Sequence, residues 1–299
     1  MEIGIYGLGR MGGNMATRLA QGGHTVVAAN RSRGPVDDAV QHGSVGAYSF
    51  QEMVSKLKAP RVLWSMVPSG AVTDEALEEF AKHASAGDIF VDGGNSNFRD
   101  SMRRAERYTA QGFKYLDIGV SGGIWGLQIG YCMMVGGPAD AVATVTPLLD
   151  TLAPKDGWAH FGKSGAGHFT KMVHNGIEYG MMQAYGEGFE LLHASEFGLD
   201  MQKVAAVWNH GSVVRSWLLE LAERAFAAEG SDLAKIKGYV ADSGEGRWTI
   251  QEAIAHDVPM TALAHSLFAR FTSRQEDSYA MKLAAALRNQ FGGHEVKPE

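Results

Sequence analysis

The sequence predicts an α/β first half, a doubly wound and mostly parallel sheet, joined to an all-α second half. Two observations carry this. Up to residue 162, short runs rich in β-branched and aromatic residues alternate with helical stretches. That alternation is the pattern of a parallel sheet covered by helices on both faces. Beyond "GWAHFG" at 157–162 the strand signals stop and only helical periodicity follows. A boundary is expected near residue 164, dividing the chain into 1–164 and 165–299.

Each element has its own signal. Residues 2–6 read as a buried strand that begins almost at the first residue. "GLGRMGGNMATRLAQGG" at 7–23 turns into a helix and ends at a glycine pair, and "HTVVAAN" at 24–30 is a second strand. Further strands are expected at "RVLWSMV" (61–67), "DIFVDGG" (88–94), "KYLDIGV" (114–120) and "YCMMVGG" (131–137), with helices between most of them. In the second half, helical patterns run over about 165–196, 200–227, 248–255 and 259–289.

The first turn carries Gly7, Gly9 and Gly12, interleaved with Leu8, Arg10 and Met11. It follows a strand and opens a helix, the context a Rossmann-type dinucleotide site requires. Gly7 permits the tight turn, Gly9 lets the backbone reach a pyrophosphate, and Gly12 lets the helix pack on the strand. The helix N-terminus adds unpaired N–H groups and a positive dipole end. At the end of the second strand an acidic residue would accept hydrogen bonds from the adenosine 2′-OH. This chain has Asn30-Arg31-Ser32-Arg33 instead. An arginine there can pair with a 2′-phosphate, so NADP is favoured, with use of NAD left open.

Composition bounds the rest. A chain of 299 residues can hold two domains with real cores, and 45% hydrophobic residues make it globular. A net charge of −6 argues against nucleic acid as a partner. Cys132 is the only cysteine, so neither an internal disulfide nor a thiolate metal cluster is expected. The "MEIGIYGLG" start has no basic segment before a long apolar run, and no apolar stretch approaches the ~20 residues that span a bilayer. No membrane partner and a cytoplasmic location are the expectations.

One stretch reads either as a solvated surface or as a site. In "KMVHNGIEY", 171–179, Lys171, His174, Asn175 and Glu178 recur at i, i+3, i+4 and i+7, one face of a helix. A solvated Lys–Glu pair would contribute only ~0.2–0.5 kcal/mol. Yet the stripe holds an imidazole, an amide and Tyr179, and Gly167, Gly176, Gly180, Gly186 and Gly188 recur along the segment. Each interior glycine costs roughly 0.8–1 kcal/mol relative to alanine, so close approach by a backbone or a ligand is expected. A metal held by His174 and Glu178 at i, i+4 lacks a third ligand and has a lysine beside it, so no metal is expected.

The motifs together resemble 6-phosphogluconate dehydrogenases. "GLGRMGGNMATRL", "DGGNS" at 92–96, "GVSGG" at 119–123, "GAGHFTKMVHNGIEYGMMQ" at 165–183, "GEGRWT" at 244–249, "FARF" at 268–271 and "RNQFGGH" at 288–294 carry the resemblance from end to end. It is to the short form, which lacks much of the later helical domain. The resemblance implies a metal-free oxidative decarboxylation in the pentose phosphate pathway. 6-Phospho-D-gluconate loses hydride from C3 to NADP and CO2 from C1, giving D-ribulose 5-phosphate. It implies Lys171 as the base for the 3-OH and Glu178 as the acid that protonates C1. A lysine accepts a proton only when neutral, a state that burial and nearby cations favour. It implies substrate contacts for Asn95, Ser121, Gly122, Gly123, His174 and Asn175, and phosphate contacts for Tyr179 and Arg270. It places Val67-Pro68-Ser69 and Asn95 near the nicotinamide and treats Trp248 as packing. It further implies a homodimer or dimer of dimers, with Arg288 and His294 reaching the phosphate of a neighbouring subunit from a C-terminal tail.

Two departures stand out. Longer members carry a lysine where this chain has Ser243, preceded by Asp242, and Arg247 is the cation at hand to compensate. "GIWG" at 123–126 lacks the acidic pair common after the glycines. Other β-hydroxyacid dehydrogenases, acting on 3-hydroxyisobutyrate or tartronate semialdehyde, share the glycine loop and the helix lysine. A simple dehydrogenase needs no proton donor to carbon, so Glu178 discriminates. A non-catalytic NADP-binding regulator would have no need of Lys171 or Glu178.

Overall fold

A computed structural model describes residues 1–297. The chain divides into two compact units, residues 1–175 and the remainder.

The first unit is β1 (Glu2–Tyr6), α1 (Arg10–Gln21), β2 (Thr25–Ala29), α2 (Arg33–Gln41), β3 (Val45–Ala47), α3 (Phe50–Ser55), β4 (Val62–Ser65), α4 (Ala71–His83), β5 (Ile89–Asp92), α5 (Phe98–Thr109), β6 (Lys114–Ser121), α6 (Gly126–Ile129), β7 (Cys132–Gly136), α7 (Ala139–Leu152), β8 (Trp158–Gly162) and the start of α8 (Ala166–His193). The eight strands form one sheet in the order β3-β2-β1-β4-β5-β6-β7-β8. Every pairing is parallel except β6 with β7. Strand order reverses between β1 and β4, so the crevice at their carboxyl ends is the place where a doubly wound sheet binds its ligand.

Strand residues alternate between two cores, as side chains with a period of two must. Ile3, Ile5, Val26, Ala28, Trp64, Val91 and Ile118 face α1, α2 and α7. Val27, Ala29, Leu63, Phe90 and Tyr115 face α3, α4 and α5. Buried on both faces, the central strands read as near-continuous apolar runs, which is why they were legible. β3 was not among the expected strands: it has three residues, and a Cβ on its Gly46 would stand 2.9 Å from Val40 Cγ2. β8 is the "GWAHFG" stretch, the last strand signal.

The second unit holds the rest of α8, then α9 (Met201–Trp208), α10 (Trp217–Glu229), α11 (Glu245–Ala255), α12 (Thr261–Thr272) and α13 (Tyr279–Gly292). Two expected helices are each two. The pattern at 200–227 is broken at 209–216, where Gly211 takes φ +91° and Ser216 caps α10. The pattern at 259–289 is broken after Thr272, and Ser278 caps α13. Helical periodicity survives both breaks, so only the capping serines and Gly211 mark them. Phe189, Met201, Ala205 and Leu219 form a small core with Trp208 and Phe226. No residue of α13 is buried. No described helix is long and apolar enough to cross a membrane.

Candidate active site

Gly7 and Gly12 of the glycine loop make the close backbone approaches expected of them. Gly7 takes φ +98°, and a Cβ there would lie 2.6 Å from Met66 O, so it turns tightly against the end of β4. A Cβ on Gly12 would lie 2.0 Å from Gly7 O: only glycine lets α1 start this close to the strand. Nothing lies within 4 Å of a Cβ on Gly9, which leaves its backbone open to a bulky ligand group. Leu8 is buried, Arg10 exposed and Met11 half-buried.

Asn30 ties the loop to β2. Its Oδ1 accepts from Leu8 N at 3.1 Å, and its Nδ2 donates to Ser32 Oγ at 3.0 Å. Arg31 is exposed and makes no hydrogen bond or ion pair among the described residues. Arg33 is engaged elsewhere: its Nε meets Asp37 Oδ2 at 3.3 Å, and its guanidinium lies 4.7 Å from the Tyr48 ring centre. Asp37 is held in turn by the Tyr48 hydroxyl at 2.6 Å. Of the two arginines, Arg31 is the one that carries no such engagement among the described residues.

Three loops at the carboxyl ends of β4, β5 and β6 carry the next candidates. Val67 is buried, Pro68 exposed and Ser69 half-buried. Asn95 sits at φ +52°, a left-handed conformation that asparagine tolerates. Its Nδ2 donates to Val120 O at 3.1 Å and its Oδ1 accepts from Val120 N at 2.9 Å, so its side chain pairs with β6 as a strand would. One amide hydrogen remains for a ligand. Ser121 ends β6; Gly122 and Gly123 follow at φ +122° and +54°, and a Cβ on Gly123 would meet nothing within 4 Å.

Lys171 is 5% exposed and its position is set by backbone contact. A Cβ on Gly119 of β6 would lie 2.3 Å from Lys171 Cβ, and one on Gly167 would lie 2.3 Å from Asp117 O and 2.5 Å from Met134 O. Gly136 Cβ would strike Asp117 Oδ1 at 2.6 Å. The helix therefore lies directly on β6 and β7. Asp117, fully buried, accepts from Gly165 N at 2.7 Å and His168 N at 2.8 Å, satisfying donors of the first turn of α8. Lys171 Nζ donates to Asn175 Oδ1 at 2.7 Å. His174 Nδ1 lies 2.9 Å from the same oxygen and 3.5 Å from Lys171 Nζ, so the three side chains converge on one point.

In the second unit, Glu178 is half-buried and Tyr179 is 6% exposed. The Tyr179 hydroxyl accepts from Ser243 N at 3.2 Å, and Arg270 lies 3.5 Å above its ring. Arg270 also donates to Ala241 O at 2.9 Å. The sequence offered Arg247 as compensation for Ser243, but its Nε and Nη2 are paired with Asp242 at 2.8 and 3.0 Å. Those hydrogen bonds, with Arg274 at 3.1 Å, hold the Asp242 carboxyl below the usual range against its burial. Ser243 Oγ donates to the buried Glu245. Arg288 and His294 are exposed, with His294 against Phe291 at the end of α13.

Asp117 and Glu245 were missed by sequence reasoning. Asp117 had a signal, a lone carboxylate in the apolar run "KYLDIGV"; Glu245 had none.

Both halves match known domains. Residues 2–162 match the NAD binding domain of 6-phosphogluconate dehydrogenase, and residues 167–297 its C-terminal domain. The chain is 47% identical, over 99% of its length and 98% of the relative's, to the NAD(+)-dependent, decarboxylating 6-phosphogluconate dehydrogenase of Haloferax volcanii. It is 35% identical to the NADP(+)-dependent enzyme of Bacillus subtilis, spanning 65% of that longer chain. Its fold superposes on 6-phosphogluconate dehydrogenase of Plasmodium falciparum, solved apo, with NADP+ and with 6-phosphogluconate, at TM-score 0.85 and 27% identity, covering all of this chain and 66% of that one. With both halves matched and full-length identity to a relative this high, the chain belongs to the 6-phosphogluconate dehydrogenase family.

Proposed function

We infer that this chain catalyses oxidative decarboxylation of 6-phospho-D-gluconate to D-ribulose 5-phosphate and CO2, with reduction of NADP or NAD. The observation that carries this is Lys171, a buried amine seated against Gly119 and hydrogen-bonded to Asn175, on the helix that leaves a dinucleotide-binding sheet of this family. A bound nicotinamide supplies the hydride acceptor. Lys171 takes the 3-OH proton and, once protonated, polarises the 3-keto oxygen while CO2 leaves. Glu178 delivers the proton to C1. His174, Asn175 and Ser121-Gly122-Gly123 hold the sugar-acid hydroxyls and carboxylate, with Tyr179 and Arg270 on the phosphate.

The loop from Gly7 to Gly12 receives the pyrophosphate, Asn30-Arg31-Ser32 the adenosine ribose, and Val67-Pro68-Ser69 with Asn95 the nicotinamide side. Arg31 favours NADP; the similarity to an NAD(+)-dependent relative keeps NAD in play. The cofactor domain is taken as 1–164 and the helical domain as 165–299. The working unit is a homodimer or dimer of dimers, with Arg288 and His294 completing the neighbour's site. Support comes from α13, which exposes Tyr279, Met281, Leu283, Leu287 and Phe291 and buries no residue. A single exposed cysteine, Cys132, fits a reducing cytoplasm.

The test is a steady-state assay with 6-phosphogluconate and each dinucleotide in turn, with CO2 measured. One CO2 per dinucleotide reduced is expected, unchanged by chelator. Reduction without CO2 would mark a simple dehydrogenase, and no reduction would overturn the reading.

A further inference from the structure

We propose that Arg104, on α5, is a positioning residue for hydride transfer: it fixes the loop after β4 against the loop after β5, and so sets where the nicotinamide stands over the substrate. The inference rests on the function proposed above.

Arg104 is 2% exposed and uses its guanidinium as a four-point clamp. Its Nη1 donates to Asp92 Oδ2, at the end of β5, and to Ser96 Oγ, in the loop after it, both at 2.9 Å. Its Nη2 donates to Gly70 O at 3.0 Å, in the loop after β4, and its Nε to Asp74 Oδ1 at 2.8 Å, in the first turn of α4. Both loops are pinned from within as well. Thr73 Oγ1 donates to Pro68 O at 2.9 Å. Asp92 accepts from Gly94 N at 3.0 Å, Ser96 Oγ at 2.9 Å and the Tyr115 hydroxyl at 3.1 Å.

The loops also touch each other. A Cβ on Gly94 would lie 2.5 Å from Val67 O, so the two backbones meet with no side chain between them. Arg104 holds the far side of this contact, and Asn95, paired with Val120, extends it to β6. The segments bearing Val67-Pro68-Ser69, Asn95 and Ser121 thus move as one piece. None of these bonds reaches Gly7–Gly12 or Asn30–Ser32; Gly7 packs on Met66 and Val67 at the near end of the clamped loop, so the grip on the adenosine and pyrophosphate depends on the clamp less directly than the nicotinamide side does. A planar five-donor fork is needed here; an ammonium cannot hold four acceptors on three sides.

The test uses Arg104→Lys, Asp74→Asn and Ser96→Ala in the full-length protein. The last two keep the buried charge of Arg104 and guard against a fold lost with the arginine itself. Dinucleotide affinity is read by fluorescence, turnover by steady-state kinetics, and the hydride step by the isotope effect on kcat/KM with 3-deuterated 6-phosphogluconate. Misplacement on the ångström scale lowers turnover by up to about 100-fold, so kcat should fall toward that limit in Arg104→Lys and less in the other two. Dinucleotide affinity should stay within about twofold, a change of only ~0.4 kcal/mol, while the isotope effect rises as hydride transfer becomes more rate-limiting. Folded variants whose isotope effect matches the wild type, or whose loss follows dinucleotide affinity, overturn the inference. Failure of the proposed function shows separately, as a wild-type protein inert toward 6-phosphogluconate.

Discussion

The site at the start of α8 and the cluster around Tyr179 are built on opposite plans. In the first unit the candidates nearest the reacting centre rest on backbone: Lys171 against Gly119, Asn95 on Val120, the helix start on Asp117. In the second unit the phosphate candidates Arg270 and Arg247 lie on half-buried and exposed helix faces, Arg270 stacked on Tyr179 and Arg247 paired with Asp242, and Arg288 and His294 are exposed. Chemistry at carbon needs position to within a fraction of an ångström, whereas a phosphate needs positive charge nearby.

The largest effect should come from Lys171→Met. Turnover is expected to vanish while dinucleotide binding, by fluorescence titration, is spared; near-normal turnover would move the base elsewhere. Glu178→Gln should come next, slowing overall turnover by about 100-fold or more, since general acid catalysis contributes 10²–10⁴. Normal turnover there would dissolve the division of roles along the stripe.

The second region is tested by truncation before Arg288. KM for 6-phosphogluconate should rise sharply with cofactor affinity intact. Mixing inactive Lys171→Met subunits with inactive Arg288→Ala subunits should restore one competent site per mixed dimer. No recovery, with subunit exchange confirmed, would make the cluster complete in one chain and erase the contrast. Arg31→Ala is smaller, a loss of about 1.5–3 kcal/mol for NADP, roughly ten- to a hundred-fold, with little change for NAD. Equal losses would mean the arginine only stacks on adenine.

The smallest effect is on stability. Hydrogen bonds from Arg247 hold the Asp242 carboxyl low, so the folded state favours its ionised form. Its contribution is fully present above the unfolded value near 3.9 and is lost as pH falls through the lower folded value. Asp242→Asn should cost about 1–3 kcal/mol at pH 7, read by thermal melts, and the difference from wild type should shrink below pH 4. A difference that does not change with pH would deny the carboxylate that role.

Legibility followed the same divide. The glycine loop could be assigned because Gly7, Gly9 and Gly12 each answer a separate steric demand; the structure has the close contacts expected at Gly7 and Gly12 and open space at Gly9. The Lys171 stripe was visible as chemistry out of place on a helix surface. Arg104 was not visible: in "SMRRAERYT" it is one of three arginines, and only the fold tells which is buried. Nor did the sequence reveal that Asp242 occupies Arg247, or that the helical patterns at 200–227 and 259–289 break, because pairing and capping are decided by neighbours distant in the chain or by single residues.

The seam where Gly119, Gly136 and Gly167 let α8 rest on β6 and β7 bears on how this enzyme could be re-engineered. A single added methyl at any of the three would lever the helix off the sheet and carry the reactive amine with it. Random libraries that include these codons would fill with inert variants whose defect lies in no contact to a ligand. Diversity aimed at new phosphorylated or unphosphorylated sugar acids belongs in the second unit, around Ser243, Arg247 and Arg270, whose contacts run through side chains that can be exchanged.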